Sequence, residues 1–538
     1  MSKLKGKNGK LIAAAAVVAL LVGGFVVRSG SGASEGGTIT YLTNSESWTH
    51  ADPNRNYTGQ HIAWFGSYMH RTLTAYARAE GSAGSAVVPD LATDTGRASN
   101  DNKTWEFTLR DGVTFEDGSA ITCEDIKYGT SRTFATDVIT DGPTYAISML
   151  DIPKAEDGSS VYKGPYATEN NDTAAYDKAV TCSEDNKTIT FNLSRSVGDF
   201  NYTVTYLSFS PVPKAKDTGD QYDLAPVSSG PYKIEKYKAK DEMVLVRNDK
   251  WSKDSDPIRQ AYPDKIVVRF GLAEEVRDQL ILSDSEPNAF SLDSILPTNL
   301  PTVFDDAGKP KAEWAERALN VYDPYVRYAA FNVKKVPCLD IRRAVYFAKD
   351  AAGLLQLSGG GAFGGDPADG AIKPLMGLDY KKVTGLEDYK PAGNATAAKA
   401  LMEKAKKSCP AEYAKATDPK RGLVFDTADS ETNKKGAAIW IDSMMKNAGI
   451  VMKFNFIEPG SYYAVVLDAT KQSDVVGLQT GLTHQQLSLS SSQRKADSQC
   501  HRTGMTLHML HLRRSQMQLS QSQIARSKVK CGLNLIST

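Results

Sequence analysis

Hydrophobic and polar positions alternate over the stretch that begins at Trp105. Trp105, Phe107 and Leu109 are separated by polar residues, the period of a half-buried strand. Arg110-Asp111-Gly112 turns the chain, Val113 and Phe115 begin a second short strand, and Asp117-Gly118 is a second turn signal. Thr122 lies three residues before Asp125 and opens a run with helical spacing, close to a capping box with Asp in place of Glu. The same reading predicts strands at Thr38 to Leu42, Thr188 to Leu193, Ile266 to Phe270 and Tyr328 to Val333. It predicts helices from Ile62 to Leu73, from Leu339 to about Asp350, from Ala397 to Lys406 and from Ala437 to Ala448. In the last helix Ala437, Ile441, Met444 and Ala448 share an apolar face, Gly449 ends it, and Val451 to Ile457 is the next strand. The pattern is that of a mixed α and β protein.

The chain has 538 residues, too many for one core, so two or three lobes are expected. A net charge of +1 gives no general argument for nucleic acid or an anionic surface as partner. The N-terminus adds more. Lys3, Lys5, Lys7 and Lys10 precede an unbroken apolar run from Leu11 to Val27, followed by Gly and Ser; residues 1–36 read as a secretory signal or an uncleaved membrane anchor. Ser31-Gly32-Ala33 is a small-residue cleavage site, and no Cys follows the run to support a lipoprotein anchor. The body is therefore expected outside the cytoplasm, periplasmic or at the cell surface. Six cysteines occur without C-x-x-C spacing, so neither zinc nor redox chemistry is indicated.

From Trp105 to Arg132 the string WEFTLRDGVTFEDGSAITCEDIKYGTSR resembles the family 5 solute-binding proteins of ABC importers, the oligopeptide- and dipeptide-binding type. Cys123 replaces the usual Ala and Gly129 the usual Ser. Further segments agree in order: Val88-Pro89-Asp90-Leu91-Ala92, Ser210-Pro211-Val212-Pro213-Lys214, Gly230-Pro231-Tyr232 and Leu245 to Trp251. So does the run from Phe331 to Val345, in which Cys338 stands for Phe and Arg343 for Val. The resemblance covers about Gly37 to Gly481. It implies an α/β, two-lobed periplasmic-binding-protein-like (type II) fold with an additional small lobe. Lobe I would comprise 37–87 and 210–320, lobe II 88–209 and lobe III 321–481.

The resemblance also implies a function. A monomer would capture a peptide or other small solute between lobes I and III and hand it to an ABC transporter permease in the membrane. No catalysis, cofactor, metal or nucleic acid is implied. The residues Tyr57, Thr58, Gly59 and Gln60 would lie beside the cleft, and Tyr145 falls where family members place a cleft-facing tyrosine; Gln479 and Gly481 complete the expected ligand-binding set. With the lobes so placed, Cys123 and Cys182 flank one lobe and Cys338 and Cys409 another. Those pairings are expected, although four cysteines allow three connectivities. An extracellular enzyme or adhesion protein on the same fold, or a binder of sugars or metal chelates, remains the alternative.

Gly359 to Gly364 satisfies G-x-G-x-x-G, but it follows a predicted helix and leads into Asp366-Pro367, so a loop is expected rather than a dinucleotide site. No Walker, G-x-S-x-G or H-E-x-x-H motif occurs. His50, His61 and His70 read as solvent-exposed or cleft-lining rather than catalytic.

From Leu482 to Thr538 the composition changes. After Leu482 there is no Phe, Trp, Tyr, Glu or Pro, and Asp497 is the one acid; eight Gln and ten Ser accompany Arg494, Lys495, Arg513 and Arg514. Three readings offer themselves: a basic tail of the kind that binds nucleic acid, an amphipathic helix from Met505 to Leu519, or a slipped reading frame. The family continues here with Gly-x-Asp-aromatic-Pro. Reading Leu482 to Gln486 one base earlier permits Ala-Asp-Ser-Pro-Thr directly after Gly481, which favours the third.

Overall fold

The computed structural model describes residues 35–480 apart from 49, 80, 287, 323–325, 369, 371, 373–379, 459–461 and 467. The N-terminal apolar run, Gly481 and the basic tail lie outside the described residues.

Strand β1 (Thr38–Leu42) leads through a long loop into a helix at Gly59–Tyr68. The expected helix from Ile62 to Leu73 is thus displaced toward the N-terminus. The reason lies in Arg71, whose guanidinium pairs with Asp90 at 2.9 Å and donates to the Ser255 carbonyl at 2.8 Å, holding the backbone off the helical path. Leu73 then belongs to the approach to β2 (Thr74–Tyr76), which pairs antiparallel with β3 (Val87–Pro89).

Next come β4 (Arg97–Ser99), β5 (Thr104–Thr108), β6 (Val180–Cys182) and β7 (Thr188–Asn192), an antiparallel sheet in the order β4-β5-β7-β6. Trp105 and Phe107 point into its core with Phe191, Phe200 and Phe209. The helix Cys123–Arg132 covers this sheet. Asp125 caps it by accepting from the Thr122 amide at 2.8 Å. The short strand expected at Val113 and Phe115 reduces to one bridge, between Thr114 and Ala120. Both apolar side chains are buried; the Phe115 amide donates to the Ser119 carbonyl at 2.9 Å and the Ile121 amide to the Val113 carbonyl at 3.0 Å, while the Glu116 amide donates to the Ser228 carbonyl at 2.9 Å. The hairpin docks on another segment instead of extending the sheet.

Strands β8 (Tyr232–Lys238), β9 (Glu242–Arg247), β10 (Lys265–Arg269) and β11 (Ala289–Phe290) join β1 in the order β11-β1-β10-β9-β8, with β1 parallel to both β10 and β11. Their core is aromatic, with Tyr41, Trp48, Trp64, Phe65 and Phe270. Finally β12 (Val326–Phe331), β13 (Leu423–Ala428), β14 (Met452–Ile457) and β15 (Val475–Thr480) form a sheet in the order β12-β15-β13-β14, packed with helices Leu339–Ala348, Ala395–Ser408 and Glu431–Ala448. Gly449 closes the last helix at φ 67°, the left-handed region that glycine enters without penalty. Disulfides join Cys123 to Cys182 and Cys338 to Cys409, with Cα–Cα separations of 5.7 and 6.2 Å. Gly359, Gly360 and Gly361 all have positive φ and sit in turns, not at the start of a helix.

Candidate functional site

The loop between β1 and the helix Gly59–Tyr68 carries Tyr57 and Thr58, the helix itself opens with Gly59 and Gln60, and a buried charge cluster fixes the path of the loop. Asp52 accepts from Arg132 Nη1 and Nη2 at 2.8 and 2.7 Å, and Arg132 Nε reaches Asp217 at 3.0 Å. Burial first, and the nearby Asp223 to a smaller extent, push the Asp52 carboxyl up, against the pull of Arg132 and the Asn54 amide. Two short bonds from one guanidinium hold only an ionised carboxylate, so the pair is charged. Asn54 adds bonds to the carbonyls of Gly129 and Ser208 at 2.8 and 3.2 Å.

Further along, this loop meets the segment that leads to Tyr145. Arg55 donates to the Thr140 carbonyl at 3.3 Å and hydroxyl at 3.1 Å, and to Asp223 at 2.6 Å. At Gly142 the backbones touch: a Cβ there would stand 1.9 Å from the Asn54 carbonyl oxygen. His50 lies between Asp223 and Asp141, at 2.7 and 3.8 Å.

The contact brings Tyr57 and Tyr145 together. Tyr145 opens a short helix, Tyr145–Met149, and is buried, with its ring centroid 4.6 Å from that of Tyr206. Tyr206 and Tyr57 both lie near enough to bear on its hydroxyl. Burial first, and the two neighbouring phenols next, push its pKa far above the ordinary 10.0, so it stays a neutral hydroxyl. Tyr57 is 47% exposed. Thr58 is half-buried at the N-cap of the next helix, its hydroxyl lacking a hydrogen-bond partner among the described residues, and Gly59 and Gln60 are exposed. Gln479 sits in β15 opposite Arg327 of β12, whereas Tyr57 lies in a loop and Tyr145 in a short helix. Gly481 lies outside the described residues. Tyr206 did not emerge from sequence reasoning; nothing in its local pattern marks it, because its place beside Tyr145 is purely tertiary.

The chemistry available here is stacking and hydrogen bonding by neutral phenols. His70 departs from the exposed or cleft-lining expectation: it is 1% exposed and its Nε2 lies 3.1 Å from the Ala51 carbonyl oxygen. Among the described residues no group of three or more His, Cys, Asp or Glu is placed to hold a metal ion. A hollow of about 390 Å³ beside β5 and β7, lined by Lys103, Lys178, Asp151 and Asn192, includes none of the candidate residues.

Two antiparallel sheets and two mixed sheets thus carry the loops between which the tyrosines gather. The chain belongs to the bacterial extracellular solute-binding proteins, family 5, whose middle-region model matches residues 86–498. It has the type II periplasmic-binding-protein fold of that family. The family is extracytoplasmic, binding solutes rather than transforming them. The chain is 24% identical over 379 residues to the oligopeptide-binding protein OppA of Bacillus subtilis, which covers 68% of this chain and 62% of that protein. It is 23% identical to the probable D,D-dipeptide-binding periplasmic protein DdpA of Escherichia coli, with 72% and 65% covered. The chain thus spans less than two thirds of the length of these curated relatives. Among solved structures, clavulanic acid biosynthesis oligopeptide binding protein 2 superposes with a TM-score of 0.67 at 25% identity, covering 84% of this chain and 77% of that one. Among the described residues no helix is long and apolar enough to cross a membrane.

Proposed function

We propose that this chain captures peptides, or small solutes of similar character, between its lobes outside the cytoplasm and delivers them as a monomer to an ABC permease. Family membership is the observation that carries this reading, and the names of both curated relatives point to peptides. The tyrosine wall supports it chemically: phenols offer hydroxyls to a peptide main chain and ring faces to its side chains without selecting a charge. Residues 1–36 would direct export. Lobe I would hold 37–87 and 210–320, lobe II 88–209 and lobe III 321–481. Gln479 would face the ligand from the third lobe.

The test is direct. Protein purified from its host is denatured, and the released small molecules are identified by mass spectrometry. Peptides are expected, and titration calorimetry with those peptides should show saturable binding and leave them intact. Recovery of a sugar or a metal chelate alone, or conversion of the peptide on incubation, refutes the proposal.

A further inference from the structure

Resting on the reading of the tyrosine wall as the ligand site, we propose that His50 is a proton-sensitive clamp between the two loops that build the wall. One loop carries Tyr57; the other, through Asp141 and Gly142, leads into Tyr145. His50 lies between carboxylates of two different elements. Nδ1 is 2.7 Å from Asp223, and Nε2 is 3.8 Å from Asp141.

A neutral imidazole donates through one nitrogen only. With the proton on Nδ1 serving Asp223, Nε2 presents a lone pair to the Asp141 carboxylate, and the two do not attract. A second proton makes Nε2 a donor and gives the ring a charge facing both acids. The 140–145 loop is then drawn onto the loop that carries Tyr57.

The surrounding charges decide which contact responds. Arg55 neutralises Asp223 at 2.6 Å and holds Thr140 through its other nitrogens whatever the state of His50. The Asp52 amide donates to Asp223 at 2.8 Å, while its carboxylate is occupied by Arg132. His61, on the helix Gly59–Tyr68, has its pKa lowered to about 4, chiefly by burial and less by the nearby His50. Both contacts strengthen when the ring is charged, but Asp223 already holds the neutral ring and Arg55, whereas Asp141, which otherwise accepts from the Thr140 hydroxyl at 3.0 Å, attracts the ring only when it is charged. The wall tightens as the solution becomes acidic and loosens as it becomes alkaline.

Hydrogen exchange of the full chain without ligand tests this independently of what the protein binds. Exchange over residues 140–150 is measured at pH 5.0 and pH 8.5, which bracket the titration of imidazoles in general, and corrected for intrinsic rates. The wild type should be about two- to five-fold better protected at pH 5.0, the effect of a solvent-exposed ion pair. Asp141→Asn and His50→Gln should each remove that difference. Strand β7 serves as internal control. Equal protection of the wild type at both pH values overturns the clamp, as does a difference that persists in Asp141→Asn or appears equally in β7. Since no ligand is present, such a result leaves the peptide reading intact.

Discussion

Gly129 shows how one residue can record a packing decision. The resemblance places a Ser at this position, yet a Cβ on Gly129 would stand 2.1 Å from the Ser210 carbonyl oxygen. The helix Cys123–Arg132 has closed onto the 208–212 segment, with the Val212 amide donating to the Asp125 carbonyl at 3.0 Å. Gly129→Ser should therefore destabilise the protein by about 1–3 kcal/mol, the usual cost of overpacking; urea denaturation of the two proteins measures it, and an unchanged midpoint contradicts the close approach. His70 makes a second prediction. Burial lowers its pKa to about 4, against 6.5 when free, while its bond to the Ala51 carbonyl works the other way. The folded state thus binds this proton less readily than the unfolded chain. The stability contributed by the neutral ring is complete above about pH 6.5 and is lost as pH falls toward 4, at about 1.4 kcal/mol per pH unit. The melting temperature should drop across that window, and less steeply in His70→Gln. A profile equally steep in both proteins would count against the assignment.

At the scale of elements, much was legible and the misses have physical causes. Strands β5, β7, β10 and β14 were readable because each alternates or runs apolar within five or six residues. The helix Glu431–Ala448 was found late and with one wrong face residue. Its buried stripe takes in Ser443 and Asn447, which rotates Ile441 out to 44% exposure. Hydrophobicity alone cannot anticipate a stripe that buries polar side chains because their hydrogen bonds are met, as Asn447 does with the Ala348 carbonyl at 2.9 Å. The candidate site was proposed only through resemblance: Tyr57 and Tyr145 lie 88 positions apart, and the contact joining their loops depends on Gly142, Arg55 and His50. The disulfide between Cys123 and Cys182 makes the element-scale prediction. It ties the first turn of a helix to β6 across 59 residues of chain. Replacing both cysteines by Ala should cost about 2–5 kcal/mol, read from thermal or urea unfolding. Recovery of both thiols by labelling of denatured, unreduced protein would show that the bridge is absent.

At the scale of the whole molecule, the proposed binding site makes the next prediction. Tyr145→Ala should weaken affinity for the co-purified ligand about ten-fold or more, since a buried aromatic contributes a large share of contact area. Calorimetry reads the change, and unaltered affinity with an intact fold would remove Tyr145 from the site. The stretch after Gly481 poses the last question. From Leu482 onward it has no aromatic residue and few apolar positions at period two, so it offers little surface to offset the entropy of ordering. A slipped frame after Gly481 accounts for that change of composition, yet the family match continues to residue 498. The two observations pull apart and make opposite demands on the coding DNA. If the frame has slipped, reading one base earlier after Gly481 should yield an Asp, aromatic residues and no early stop, and the protein so restored should bind a peptide that the chain as written binds poorly. If that reading frame closes within a few codons, the basic stretch is native. Removing residues 499–538, beyond the family match, should then leave affinity unchanged.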